Sequence, residues 1–125
     1  MILSPRSEKN LTGVHDKLVA VVRLAATVTE IDFIVTEGLR TLERQKELYA
    51  KGASQTMNSK HLTGHAVDLA AVIGTEVRWD WSCYYKLAGA MKQAASDLGV
   101  KITWGGDWRN FADGPHFEID PRTYP

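Results

Sequence analysis

Little in this sequence can staple or anchor the chain from outside its own core. One cysteine, Cys83, excludes an internal disulfide and fits folding in a reducing cytoplasm. Basic and acidic side chains number 15 each. The resulting zero net charge supplies no long-range pull toward nucleic acid or anionic lipid, which argues against a DNA or RNA partner. Long apolar runs are missing too. The longest, around Leu18 to Val28, is broken by Arg23 and is far too short to span a bilayer, so membrane insertion is not expected. The opening Met1-Ile-Leu-Ser-Pro-Arg6 lacks the basic region and apolar stretch of a signal peptide. A substrate outside the cytoplasm would therefore need another route out. No repeat, low-complexity tract or linker is visible, and no HExxH motif is present.

What remains is an ordinary globular composition. A chain of 125 residues fits one domain, 1–125, around one core. Val14, Leu18, Val21, Val22, Ala25 and Val28 recur at helical spacing, which predicts a helix over 14–28. Phe33-Ile-Val-Thr36 predicts a strand, and Gly38 a turn. Thr41 is placed to cap a second helix carrying Leu42, Leu48 and Tyr49, which stops at Lys51-Gly52. Residues 53–64 are polar and read as a loop. Strands are expected over 66–72, 100–104 and 117–119. A third helix is expected from a cap at Ser82 to a stop at Gly99. Short strands mixed with about three helices, without βαβ alternation, indicate an α+β domain.

Two segments carry histidine beside carboxylate. They are Ser59-Lys-His61-Leu-Thr-Gly64-His65-Ala-Val-Asp68 and Asp113-Gly-Pro-His116-Phe-Glu118. A catalytic zinc site needs three protein ligands and one open position, and imidazole with a carboxylate suits Zn²⁺ better than Mg²⁺ or Ca²⁺. Two His and one Asp would leave a charge of +1 on the centre, keeping the ion a good Lewis acid able to acidify water. Alternation along 66–72 sends Ala66, Asp68 and Ala70 one way and Val67, Leu69 and Ala71 the other. The Ala-flanked Asp68 face then leaves room for a metal. Spacing alone leaves His61 and His65 as rivals. An i, i+4 helical pair is disfavoured by Gly64 and the β-like run that follows.

Ser59-x-His61-x-x-Gly64-x-Ala66-x-Asp68 resembles the first signature of the D-alanyl-D-alanine metallopeptidases. Asp113-x-Pro-His116-Phe-Glu resembles the second. That family shares a superfamily with lysostaphin-type peptidases and the hedgehog signalling domain. Within it the chain is most similar to the phage endolysin branch, the L-alanyl-D-glutamate endopeptidases. That similarity runs nearly end to end. It takes in Ser4-x-Arg6-Ser7, Leu11-x-Gly13-Val14-His15, Phe33-x-Val35-x-Glu37-Gly38-x-Arg40-Thr41 with Gln45 and Leu48, and Trp104-Gly-Gly-Asp107-Trp108. The resemblance implies a hedgehog/DD-peptidase-like fold with a short, mainly antiparallel sheet. It implies one Zn²⁺ on His61, Asp68 and His116. Asp113 would be the general base and Arg40 the cation near the scissile group. Ser59, Trp104 and Trp108 would line or support the substrate groove.

Each residue also has a plain structural role open to it. Asp113 can cap the turn before Pro115, and Arg40 can form a surface ion pair. His15 near a helix start is read as structural, and His65 as an outer or surface histidine. Cys83 has no base beside it and is read as packing. Asp107 belongs to a Gly-Gly-Asp turn. The expected activity is zinc-dependent hydrolysis of the L-Ala–D-Glu bond of the peptidoglycan stem, leading to bacterial lysis. The resemblance further implies a monomer made in the host cytoplasm that reaches the wall, the periplasm of a Gram-negative host, through a separate pore-forming protein. Two other activities fit the same signatures: a D-Ala–D-Ala carboxypeptidase or dipeptidase, and a zinc-bearing wall-binding module without turnover.

Overall fold

The computed structural model describes residues 1–54 and 56–125. The chain forms α1 (Pro5–Asn10), α2 (Asp16–Val28), β1 (Asp32–Glu37), α3 (Leu42–Ala50), β2 (Ala66–Ile73), β3 (Glu76–Arg78), α4 (Trp81–Leu98), β4 (Thr103–Trp104) and β5 (His116–Glu118). Two 3-10 turns, Lys60–Thr63 and Gly105–Asp107, interrupt the connections. The sheet runs β1-β2-β5-β4, with β3 also on β2, and each pairing is antiparallel. The α+β architecture expected from the sequence is therefore present, with four α-helices among the described residues rather than about three.

The sheet has one face for the core and one for chemistry. Successive residues of a strand point to opposite faces. Val67, Leu69 and Ala71 of β2 join Phe33, Val35 and Phe117 in the apolar core. Leu18, Val21, Val22 and Ala25 of α2 and Leu87, Ala88, Met91 and Ala95 of α4 cover that face. Their positions follow the 3.6-residue period of a helix with one apolar stripe. The alternate residues, Asp68 on β2 and His116 and Glu118 on β5, fall on the other face. Register completes the arrangement, because Asp68 pairs with His116 on one side and with Glu37 on the other.

Several local expectations change in detail. Helix α1 was not expected, although its signals are plain: Ser4 accepts from the Ser7 amide and Pro5 occupies the first turn. It closes the outer edge of β1, with Ser7 Oγ accepting from Val35 N at 2.9 Å and Asn10 donating to Val35 O at 2.8 Å. Residues 53–64 are not all loop, since Ser59 caps the 3-10 turn Lys60–Thr63; residue 55 lies outside the described residues. The N-cap of α4 is Asp80, not Ser82, and its carboxylate is held by Arg78 instead of the helix. The expected strand 100–104 shortens to Thr103–Trp104. Val100 N closes the end of α4 on Ala95 O, and Lys101 N donates to the Tyr124 hydroxyl, so neither joins the ladder. No described helix is long and apolar enough to cross a membrane.

Candidate metal centre and active site

Three segments with separate reasons to be rigid converge on one point. His61 stands on the 3-10 turn, whose first free amide, that of His61 itself, is capped by Ser59 Oγ at 3.2 Å. The turn ends in Gly64 at φ +75°, where a Cβ would lie 2.3 Å from Gly13 O. Only glycine fits such a position, and the reversal it allows carries the chain from His61 into β2. Asp68 follows on β2, and His116 opens β5 beside it. One ligand atom from each of His61, Asp68 and His116 lies within 4.8 Å of the others.

The hydrogen bonds prepare these atoms for a cation. His61 Nδ1 lies 2.8 Å from Gly38 O, and a carbonyl only accepts, so Nδ1 carries a proton and Nε2 is the nitrogen turned toward the site. That Nε2 is 3.2 Å from Asp68 Oδ1. His116 is wired in the opposite sense. Its Nε2 donates to Glu118 Oε1 at 2.8 Å, leaving Nδ1 at 3.3 Å from the same Asp68 oxygen. Lys60 Nζ holds the other Glu118 oxygen at 2.7 Å. Nitrogen and oxygen ligands on a tetrahedral ion at bonds of roughly 2.0–2.1 Å would sit about 3.3 Å apart. The donor set, its spacing and the outer acceptors that fix each ring thus fit a metal ion. Glu118 belongs to the second segment, but no role was expected of it there. Its position two residues after His116 on a strand, hence on the same face, was the available signal.

Charge follows the same geometry. Burial alone would raise the Asp68 carboxyl, but hydrogen bonds from His116 and His61 outweigh it and hold it well below the usual carboxylate range. Burial pulls the His116 imidazolium down, yet its bonds to Asp68 and Glu118 lift it to about 9. Glu118 is likewise drawn down, against its burial, by His116 and Lys60. A site that stabilises protonated imidazole beside carboxylate is a site that stabilises a cation, and protons and metal compete for it.

Asp113 reaches the cleft from the loop before β5. Its amide donates to Gly105 O at 3.0 Å and its carbonyl accepts from His116 N at 3.2 Å, so its backbone is tied to the ligand strand. Burial, and then the Asp68 charge, push its carboxyl above the ordinary value. Arg40 lines the same cleft. Its guanidinium is paired with Glu37, accepted by Gln45 Oε1 at 2.8 Å, and 3.8 Å from Asp68 Oδ2. Its amide donates to His61 O at 3.0 Å, which links it to the metal turn. The expectation of an ordinary surface ion pair does not apply, since the Arg40 side chain is only 8 % exposed.

The cleft holds about 910 Å³ and is also lined by Ser59, Trp108 and Phe111. Trp108 stands over His116, with ring centroids 5.2 Å apart. Trp104 corrects the sequence expectation. It is 4 % exposed, lies outside the cleft lining, and donates from Nε1 to Gly114 O at 2.7 Å. It is therefore packed beneath the Asp113–Gly114 loop as a support. His65 is not a ligand in this arrangement: its ring bonds Thr63 Oγ1 and Tyr124 O, both at 2.7 Å. His15 caps α2 by accepting from Lys17 N, Cys83 is buried, and Asp107 pairs with Lys92.

Comparison with known proteins places this arrangement. Residues 1–124 match the family described as phage L-alanyl-D-glutamate peptidase. The L-alanyl-D-glutamate peptidase of Escherichia phage T5 is 35% identical over 122 residues, covering 94% of this chain and 88% of that protein. The crystal structure of the Serratia marcescens L-Ala D-Glu endopeptidase ChiX superposes with a TM-score of 0.92 at 47% identity, over 98% of this chain and 92% of that one. The vancomycin-resistance D,D-dipeptidase VanXYg shares the fold, with a TM-score of 0.55 at 18% identity over 83% of this chain and 49% of its own.

Proposed function

Because the chain belongs to the phage L-alanyl-D-glutamate peptidase family, we propose that it is a zinc endopeptidase that hydrolyses the L-Ala–D-Glu bond of the peptidoglycan stem. The observation that carries the mechanism is the cleft in which the raised Asp113 carboxyl and the His61–Asp68–His116 cluster share one lining. His61 Nε2, Asp68 Oδ1 and His116 Nδ1 would hold the ion. Zinc bound there would supply Lewis acidity for the scissile carbonyl and for a water near neutral pH. Asp113 takes the proton from the attacking water and returns it to the departing D-Glu nitrogen as the C–N bond breaks. Its place in the same cleft lining as the three ligands suits both transfers. Arg40, held by Glu37, Gln45 and Asp68, faces the negative charge that gathers on the carbonyl oxygen. Trp108 forms a wall for the substrate beside His116, and Ser59 serves chiefly by capping the turn that presents His61.

The whole chain, 1–125, acts in this reading as one catalytic domain and as a monomer. Its site of action is the cell wall, in the periplasm of a Gram-negative host, reached with the help of a separate pore-forming protein. The test is His116→Ala: bound zinc and hydrolysis of purified muropeptides should both be lost. Retention of both would remove His116 from the site. Product identity separates the two related activities. Loss of terminal D-Ala alone would mark a carboxypeptidase, and zinc binding without turnover would mark a wall-binding module.

A further inference from the structure

Helix α3 fully buries one side chain, and that side chain is an amide. Of its nine residues only Gln45 is buried, and Gln45 is 0 % exposed. A surface helix ordinarily packs through an apolar stripe. Here Leu42 and Tyr49 point largely to solvent, Leu48 is half-buried along the cleft, and the one fully buried side chain is polar. Both of its ends are used. Oε1 accepts from Arg40 Nη1 at 2.8 Å, while Nε2 donates to Ser54 Oγ at 2.8 Å and to Thr56 O at 2.5 Å. The sense of the amide is fixed by its partners, because a guanidinium only donates and a carbonyl only accepts. Neither Glu nor Leu could serve both ends at once. Ser54 and Thr56 line the same cleft as Arg40 and Asp113.

We propose that Gln45 is a positioning residue that couples the Arg40 guanidinium to the cleft wall at Ser54 and Thr56. Two acceptors, Glu37 on Nε and Gln45 on Nη1, fix the plane of the guanidinium. With Gln45 gone, only the Glu37 bond and the longer approach to Asp68 at 3.8 Å hold it. Substrate seated against Ser54 and Thr56 thus meets an Arg40 aimed by the same side chain that holds those two residues. The inference rests on the role given to Arg40 above.

A double-mutant cycle tests it with Gln45→Met, Arg40→Ala and the pair, using kcat and KM on a defined muropeptide, zinc content and circular dichroism. Gln45→Met should lower kcat by roughly ten- to a hundred-fold, the scale expected when a catalytic group loses its aim, with zinc content unchanged. In the Arg40→Ala background the same change should cost no further kcat, since coupled residues are not additive. Gln45→Met with wild-type kcat overturns the proposal, as does an equal fold loss in both backgrounds, which marks a purely structural role. Wild-type kcat in Arg40→Ala overturns the role of Arg40 itself, and this proposal with it. If Gln45→Met fails to fold, Ser54→Ala removes only the wall end. It should raise KM several-fold with kcat nearly kept, and an unchanged KM contradicts the coupling.

Discussion

Asp113 is pushed toward its protonated form by burial and then by the charge of Asp68. Two predictions follow from that direction. In the zinc-free protein the Asp113 carboxyl should therefore titrate above the ordinary carboxylate range, read from its side-chain carbon by NMR. An unshifted value would contradict the effect of burial. The second concerns stability. A carboxyl whose pKa is higher folded than unfolded binds its proton more tightly when folded, so stability falls as pH rises through that window. Asp113→Asn removes this cost. In the presence of a chelator the variant should melt higher than wild type at pH 7, while turnover falls by roughly 10²–10⁴. A lower melting temperature would mean that the carboxylate is stabilised by a partner. Glu118 carries a third prediction. Glu118→Ala strips the acceptor from His116 Nε2 and should weaken zinc affinity roughly 10- to 100-fold in competition with a chromophoric chelator. Glu118→Gln keeps an acceptor and should lose less. At this scale the sequence was legible where two segments repeat a family pattern. It was mute where partners come from elsewhere in the chain. Spacing could not choose between His61 and His65 because the choice is made by Gly38 O and Tyr124 O, each more than twenty residues away.

Among the elements, the short turn before β2 does the most for the site. Gly64→Ala must hold a side chain at φ +75° against Gly13 O, a strain of at least about 1–2 kcal/mol. The variant should lose melting temperature and zinc affinity together, because relief of the clash moves the turn that bears His61. Loss of stability with unchanged zinc affinity would show that the turn and the ligand are independent. Gly89 is the contrasting position. It sits exposed in α4 with nothing within 4 Å of an added Cβ, so Gly89→Ala should stabilise by about 0.5–1 kcal/mol and leave activity alone. Helices α2 and α4 were readable because their apolar residues recur with the helical period and feed one core. Helix α3 was readable from its Thr41 cap, although Gln45, its one fully buried side chain, breaks the apolar rule. The ends of β4 and the start of α4 were not readable. Lys101 and Asp80 are claimed by Tyr124 and Arg78, contacts that no local pattern displays.

At the scale of the molecule, metal, protons and stability are one linked system. The His116 pKa, raised to about 9, gives the zinc-free protein stability that is complete below about pH 6.5 and lost as pH rises through that raised value. Zinc requires the same nitrogen without its proton. Uptake at pH 7 should therefore release protons, seen as buffer-dependent heats in calorimetry, and zinc affinity should fall as pH drops. Uptake without proton release would contradict ligation by His116. Bound zinc should also raise the melting temperature in proportion to its excess over the dissociation constant. All of this serves one reaction at one bond. The direct test is to digest purified Gram-negative sacculi with the protein, with and without a zinc chelator, and to identify the products by mass spectrometry. Chelator-sensitive release of peptides beginning at D-Glu, with L-Ala left on the glycan, is the predicted result. Release of terminal D-Ala alone, or intact sacculi beside zinc-loaded protein, would contradict it.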